Sequence, residues 1–285
     1  MTGLVPLYKD PGILSRKAGV KVSFLYGERK HGHAGTLDPL ASGVLPVLLG
    51  RATRLIPFLD EEKSYLASFS FGRKTDTGDC TGALLEQSEF RPSRAQFEAA
   101  LPRFTGEILQ VPPLYSALKK DGRPLYDYAR KGQAVAREPR RATIYELRLE
   151  KFSPQGGKLF VRCASGTYIR TLIEDLAAAC GALATMTALV RTAAYGISLE
   201  QCRTLAQMEA GDRPLLSPEE LFADRLAVVA PENGLCYFEN GGAIDPARFD
   251  QPPVGLCRAY APSGRFLGLA EGREEVKLVW KNTEI

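Results

Sequence analysis

No stretch of this 285-residue chain approaches the ~18 consecutive apolar residues that would cross a bilayer as a helix. The opening MTGLVPLYKD has no basic region followed by an apolar core, so it is not expected to be a secretory signal. Cysteine is sparse, at Cys80, Cys163, Cys180, Cys202, Cys236 and Cys257. No two of these form CxxC, and their spacings suggest neither a zinc site nor a disulfide framework. Reduced thiols in a cytoplasmic protein without metal are the expectation. Internal repeats and low-complexity tracts are also lacking. What remains is an ordinary globular composition, 45% hydrophobic and 25% charged. The length suffices for one large domain, or for one domain plus a small one, around a sizeable core.

Charge is unevenly spread. The chain carries +4 overall, but from Leu205 to Ile285 there are 8 Lys and Arg against 13 Asp and Glu. The first 204 residues therefore carry +9. Between Lys119 and Arg148 stand nine basic residues and four acids. A concentrated basic segment on a basic body fits a polyanionic partner, with nucleic acid the leading candidate.

Patterning is mixed. KSYLASFSFG alternates, with Tyr65, Ala67, Phe69 and Phe71 on one face of a predicted strand. Ser93 and Gln96 form a capping-box pattern ahead of Phe97, Ala100, Leu101 and Phe104 at helical spacing, and Pro102 marks the helix end. Tyr145, Leu147 and Leu149 alternate with charged residues in a half-buried strand. KLFVRCASG is another strand, followed by a helical stripe of Ile169, Leu172, Ile173, Leu176 and Ala177 that stops at Gly181. TMTALVRTAAYG reads as a further strand. The body is therefore α+β, with mainly antiparallel pairing. The stretch from Gln110 to Arg141 is long, basic and weakly periodic, which marks a functional insertion. Beyond the Pro-rich, acidic run from Pro214 to Pro231, short β-like pieces (GLCYF, VGLCRAY, RFLGLA, VKLVW) predict a small β-rich C-terminal domain.

One acid stands out. Asp38 is alone in HAGTLDPLASGVLPVLLG, a nearly uncharged run. Pro39 keeps Asp38 out of helical geometry, and a turn-capping aspartate would account for the local pattern. Arg170, in GTYIRTLIEDL, falls in the first turn of the predicted helix, off the apolar stripe. A cation there faces the unfavourable end of the macrodipole, so a carboxylate, a phosphate or solvent must offset it. Tyr65, taken alone, reads as a core residue.

Together, HAGTLDPLASGVLPV, KSYLASFSFGRKTDTGD, QVPPLYSALKKDGRPLYDYARKG and CASGTYIRTLIEDLA resemble the TruB family, the tRNA pseudouridine-55 synthases, over roughly Lys9 to Arg191. The resemblance implies a pseudouridine synthase fold with a mixed, mainly antiparallel central sheet. It implies an isomerase that converts one uridine in the T loop of tRNA, acting on a flipped-out base without metal or organic cofactor. Residues 1–225 would form the catalytic domain, with an RNA-gripping insertion near 110–141, and residues 226–285 a PUA-like domain. The partner would be the tRNA T stem-loop, met by a monomer away from any membrane.

Carried over by motif, Asp38 matches the catalytic aspartate, Arg170 the arginine that pairs with it, and Tyr65 the tyrosine that packs on the target base. Tyr168 and Leu189 match pocket positions, and His33 a histidine associated with RNA binding and base extrusion. Lys9, Lys119, Lys120, Arg123, Arg130 and Arg141 are expected to meet RNA. The family's N-terminal signature, roughly DKPxGxTS, stands here as YKDPGILS, with Lys9, Gly12 and Ser15 kept and three positions changed. A pure RNA binder would show the same basic charge but would not need Asp38 and Arg170. A glycoside hydrolase would want a second working carboxylate, for which Asp76 or Asp79 could be offered. A synthase acting on another RNA is the remaining alternative.

Overall fold

The computed structural model describes residues 1–116, 118–120, 122–133 and 135–282, and the side chains of Lys119 and Arg130 lie outside what is described. The body is built on a mixed sheet. Along it run the strands Gly3–Lys9, Ser42–Leu49, Ala184–Ala194, Lys63–Phe71, Gly156–Cys163, Arg140–Ser153 and Gly106–Gln110, in that spatial order. His31–His33 pairs with Ser42–Leu49, and Ile197–Ser198 with Ala184–Ala194. Among the described residues every pairing in this sheet is antiparallel except one. Val190 and Arg191 pair in parallel with Ser42 and Gly43.

The expected strand at Lys63–Phe71 alternates as its sequence dictates, with Tyr65, Ala67, Phe69 and Phe71 buried. Phe69 and Phe71 pack with Phe97 from the helix Arg94–Ala100, at centroid distances of 5.2 and 5.6 Å. Ser93 caps that helix with the reciprocal Gln96 bond that the sequence predicts. Pro102 falls in the 3-10 turn Leu101–Phe104 that ends it. The helix Ile169–Ala179 buries Leu172, Ile173, Leu176 and Ala177 against the sheet and yields to Gly181 at φ 73°.

Gln110 to Arg141 is less irregular than its sequence suggests: Lys119–Lys120 and Arg123–Pro124 pair as a hairpin, and Leu125–Arg130 is a short helix. Beyond it lies the acidic C-terminal part. There the strands Ala227–Val229, Gly255–Tyr260, Phe266–Gly272 and Val276–Lys281 form a four-stranded sheet. Phe266, Leu269 and Trp280 of this sheet share a core with Leu4, Val44, Leu48 and Phe222 of the body. GLCYF is not a strand. Leu235–Glu239 is a helical turn in which only Phe238 is fully buried, and five apolar residues are too few for periodicity to separate helix from strand.

Candidate active site

The four sequence motifs meet at one guanidinium. Arg170 lies in the first turn of the helix Ile169–Ala179, yet it is only 6% exposed. Its Nη2 stands 2.9 Å from Asp38 Oδ2. Nη1 donates to the carbonyl of Thr77 at 2.6 Å, and Nη2 also donates to that of Tyr115 at 2.9 Å. The offset that the helix dipole requires is therefore supplied by one carboxylate and two carbonyls, not by solvent. The contact to Asp38 is single, so the fork of Arg170 ties three loops together instead of holding one carboxylate with two parallel bonds.

The loop that carries Asp38 is fixed from below. Ser15 Oγ donates to the Leu37 carbonyl at 2.8 Å and accepts the Leu37 N–H at 2.9 Å. The Gly12 N–H donates to the Pro39 carbonyl at 2.7 Å. Lys9 Nζ donates to the carbonyls of Asp10, Ile13 and Pro39. Lys9, Gly12 and Ser15 are the residues of YKDPGILS that keep the family pattern, and each touches Leu37 or Pro39. This corrects the expectation that Lys9 meets RNA. It is 1% exposed, and its three N–H donors are spent on backbone. Burial lowers its pKa to about 8.

Asp38 opens onto a cavity of about 290 Å³ lined by Tyr65, Leu189, Tyr168, Arg170, Ser116, Lys63 and Arg191, among others. Burial pushes the Asp38 carboxyl above its ordinary value of 3.8, while Arg170 pulls it down and Asp79 pushes it up. Burial also raises the Tyr65 phenol to about 12, so it is protonated at neutral pH. Gln110 is 2% exposed and grips the backbone of Tyr168 at both ends of its amide, accepting from the N–H at 3.0 Å and donating to the carbonyl at 3.2 Å. Ser116 Oγ is buried with no hydrogen-bond partner among the described residues.

The structure thus brings Asp38, Tyr65, Tyr168, Arg170 and Leu189 together. His33 lies just outside, with Nε2 3.2 Å from Thr36 Oγ1, and burial lowers its pKa. Lys120, Arg123 and Arg141 are exposed on or beside the insertion. Lys120 donates to the Ala136 carbonyl at 2.9 Å, and Arg141 stands 3.8 Å from Glu107. Asp76 and Asp79 do not line the cavity. Asp76 accepts from the Ala83 N–H and the Tyr115 hydroxyl, and Asp79 Oδ1 accepts from Thr77 and Thr81. These bonds disfavour a second working carboxylate.

Lys63, Gln110, Ser116 and Arg191 are site residues that the sequence reading missed. For two of them a signal existed. Lys63 precedes Tyr65 by two and Arg191 follows Leu189 by two, so each shares a strand face with a residue already singled out.

Comparison with known proteins decides the lineage. The model of the TruB family pseudouridylate synthase (N terminal domain) matches residues 23–169. The chain belongs to the TruB family of pseudouridylate synthases. It is 44% identical to the tRNA pseudouridine synthase B of Thiobacillus denitrificans, over 97% of this chain and 94% of that protein. To the protein of the same name from Chromobacterium violaceum it is 43% identical, over 97% and 92%. In fold it is similar to a chain of an H/ACA RNP bound to a substrate RNA containing 2'-deoxyuridine, with a TM-score of 0.72 at 20% identity. That match covers 98% of this chain and 84% of the other. All six cysteines of this TruB-family chain are free thiols, and no helix among the described residues is long and apolar enough to cross a membrane.

Proposed function

We propose that the protein isomerises uridine 55 in the T loop of tRNA to pseudouridine, with Asp38 as nucleophile on a flipped-out nucleotide. The observation that carries this reading is the Asp38–Arg170 pair at the mouth of a cavity that holds Tyr65 and Leu189. The tRNA substrate is supported by relatives named tRNA pseudouridine synthase B that align over nearly the whole chain.

The reaction breaks the N1–C1′ bond, turns the uracil and joins C5 to C1′, with no net change in atoms. A carboxylate suits an electron-poor C1′, because it stabilises positive charge and leaves readily. Its raised pKa makes Asp38 a stronger base and nucleophile, and Arg170 opposes that rise, favouring the charged form. Extruding the base costs a few kcal/mol. Stacking on Tyr65 returns ~1–3 kcal/mol of that. The Tyr65 hydroxyl then relays the C5 proton after the new bond forms, taking it on oxygen as its own proton passes to solvent. Exposed Arg123, Arg140 and Arg141 contact phosphates, and loop shape supplies the selectivity. Lys119 and Arg130 are assigned there by sequence alone. On this reading the protein acts as a cytoplasmic monomer. Residues 1–225 are the catalytic domain, with the insertion near 110–141 gripping RNA, and residues 226–285 a PUA-like module.

The test is pseudouridine mapping on an unmodified tRNA transcript. The wild-type protein should modify position 55 alone, and Asp38→Asn should bind tRNA and leave it unmodified. Modification elsewhere, or turnover by the Asn variant at a comparable rate, would reject the reading.

A further inference from the structure

Two cations line the cavity besides Arg170. Lys63 is 7% exposed and Arg191 is 1% exposed. Lys63 Nζ donates to Ser165 Oγ at 2.8 Å and lies 5.0 Å from the centroid of the Tyr195 ring. Arg191 Nε donates to the Val44 carbonyl at 2.7 Å, and Nη2 donates to that of Gly35 at 2.9 Å. All the partners so described are neutral. Among the described residues no carboxylate forms an ion pair with either cation, whereas Asp38 is already taken by Arg170. A buried charge costs several kcal/mol unless an opposite charge answers it. The resting site therefore holds two cations whose counter-charge is missing.

Their position indicates what supplies it. Arg191 stands directly opposite Tyr65 in the antiparallel ladder, and Lys63 lies two residues before Tyr65 on the same strand face. The face that meets the base is thus flanked by positive charge on its own strand and on the next. An RNA phosphate is the obvious anion. However, phosphates stay on the backbone when a base is flipped, and they would meet exposed cations such as Arg123, not side chains more than nine-tenths buried.

The base itself does reach such residues. Uridine is neutral when bound. When the N1–C1′ bond breaks with its electron pair on N1, the ring becomes an anion with charge spread over N1, O2 and O4. C1′ is left electron-poor and is answered by Asp38. The charge on the ring is used up when C5 attacks C1′ and the new bond forms, after which the C5 proton leaves and N1 regains a proton.

We propose that Lys63 and Arg191 stabilise the uracil ring as an anionic leaving group, from cleavage of N1–C1′ until C5 attacks C1′. This rests on the function proposed above. The interaction is weak with the neutral substrate and strong with the charged ring, so it lowers the barrier without tightening tRNA binding. The charges are fixed in place beforehand. Gly43, at φ 102°, lets the Ser42–Leu49 strand run against Arg191, where a Cβ would meet the Arg191 carbonyl oxygen at 2.2 Å.

The experiment compares wild type, Lys63→Gln, Arg191→Gln and Arg191→Lys in single-turnover reactions. The substrates are tRNA transcripts carrying uridine or 5-fluorouridine at the target position. Fluorine withdraws electrons and makes the ring a better leaving group, so it needs less help from the protein. Consumption of the N-linked nucleoside is read by nuclease digestion and chromatography, and tRNA affinity is measured alongside. The Gln variants should slow uridine consumption by about 100-fold. They should slow 5-fluorouridine consumption at least tenfold less than that, with affinity within about threefold of wild type. Arg191→Lys should recover part of the uridine rate. Equal losses on the two substrates would overturn the proposal, as would a loss confined to affinity. If Arg191→Gln does not fold, Lys63→Gln decides by the same ratio. A wild-type protein that leaves tRNA unmodified would reject the proposed function, whereas an active wild type with an unchanged ratio would reject only this inference.

Discussion

Ser15 holds both backbone polar groups of Leu37, donating from Oγ to the carbonyl at 2.8 Å and accepting the N–H at 2.9 Å. Both residues are buried, and Leu37 is the neighbour of Asp38. Ser15→Ala leaves two backbone groups without a partner, at about 1–3 kcal/mol for each buried group. The expected outcome is a stability loss of about 2–6 kcal/mol for the two groups, together with a roughly tenfold fall in kcat, because the carboxylate loses its fixed position. Denaturant titration and steady-state kinetics on tRNA check both. Full kcat in a destabilised variant would separate the loop's stability from its catalytic placement.

Arg170→Lys keeps the charge and loses the fork. A lysine cannot reach Asp38, Thr77 and Tyr115 with the geometry that Arg170 uses. Turnover should fall about 100-fold. The pH profile should move as well. Asp38 must be ionised, so the rate falls on the acid side as it takes up a proton. Burial already places that midpoint above 3.8, and Arg170 restrains it. Weakening the restraint should shift the acid limb to higher pH. A limb that stays put would remove Arg170 from the electrostatics of Asp38.

Tyr65→Phe keeps the stacking face and loses the hydroxyl. Affinity for tRNA should stay near the wild-type value, while tritium release from 5-labelled tRNA slows by about 100-fold. Cleavage precedes proton loss, so a rearranged base should accumulate in the Phe variant. Tyr65→Ala should be worse, because the flipped base is no longer held. Wild-type tritium release from the Phe variant would leave Tyr65 as a stacking platform only.

Replacing Arg123, Arg140 and Arg141 together with Gln should weaken tRNA binding and flatten its salt dependence. Each phosphate contact contributes roughly 0.7–0.9 to the slope of log affinity against log salt, so three contacts should lower it by about 2–3. An unchanged slope would put the RNA on another face.

The half of the sheet with one solvated face was legible in the sequence. Lys63–Phe71 and Gly156–Cys163 alternate because only one of their faces is buried. Gly3–Lys9 and Ser42–Leu49 were not legible. They are covered on both faces, so their inner residues, Leu4–Leu7 and Val44–Leu49, are apolar without a break and no period appears. Pro6 and Pro46 hid them further, since proline argues against a central strand. In the structure the two prolines stand opposite each other in the ladder. At the site, Asp38, Arg170 and Tyr65 were found through whole motifs. Lys63 and Arg191 are harder to read, because a lysine or arginine among apolar strand residues reads as an edge or surface charge; strand alternation puts Lys63 on the face of Tyr65, and only the cross-strand register brings Arg191 there.

That register also governs when the protein can become active during its own synthesis. Arg191 is paired with Gly43 on one side and with Tyr65 on the other, so the strand that joins them is made more than a hundred residues after both of its partners. Closing such long stretches of chain is slow compared with forming local helices. A ribosome-bound chain that has emitted Asp38 and Tyr65 carries that carboxylate and that ring, but neither the wall that Arg191 completes nor the helix that brings Arg170 to the carboxylate. The cavity and the Asp38–Arg170 pair are therefore assembled only when the sheet closes.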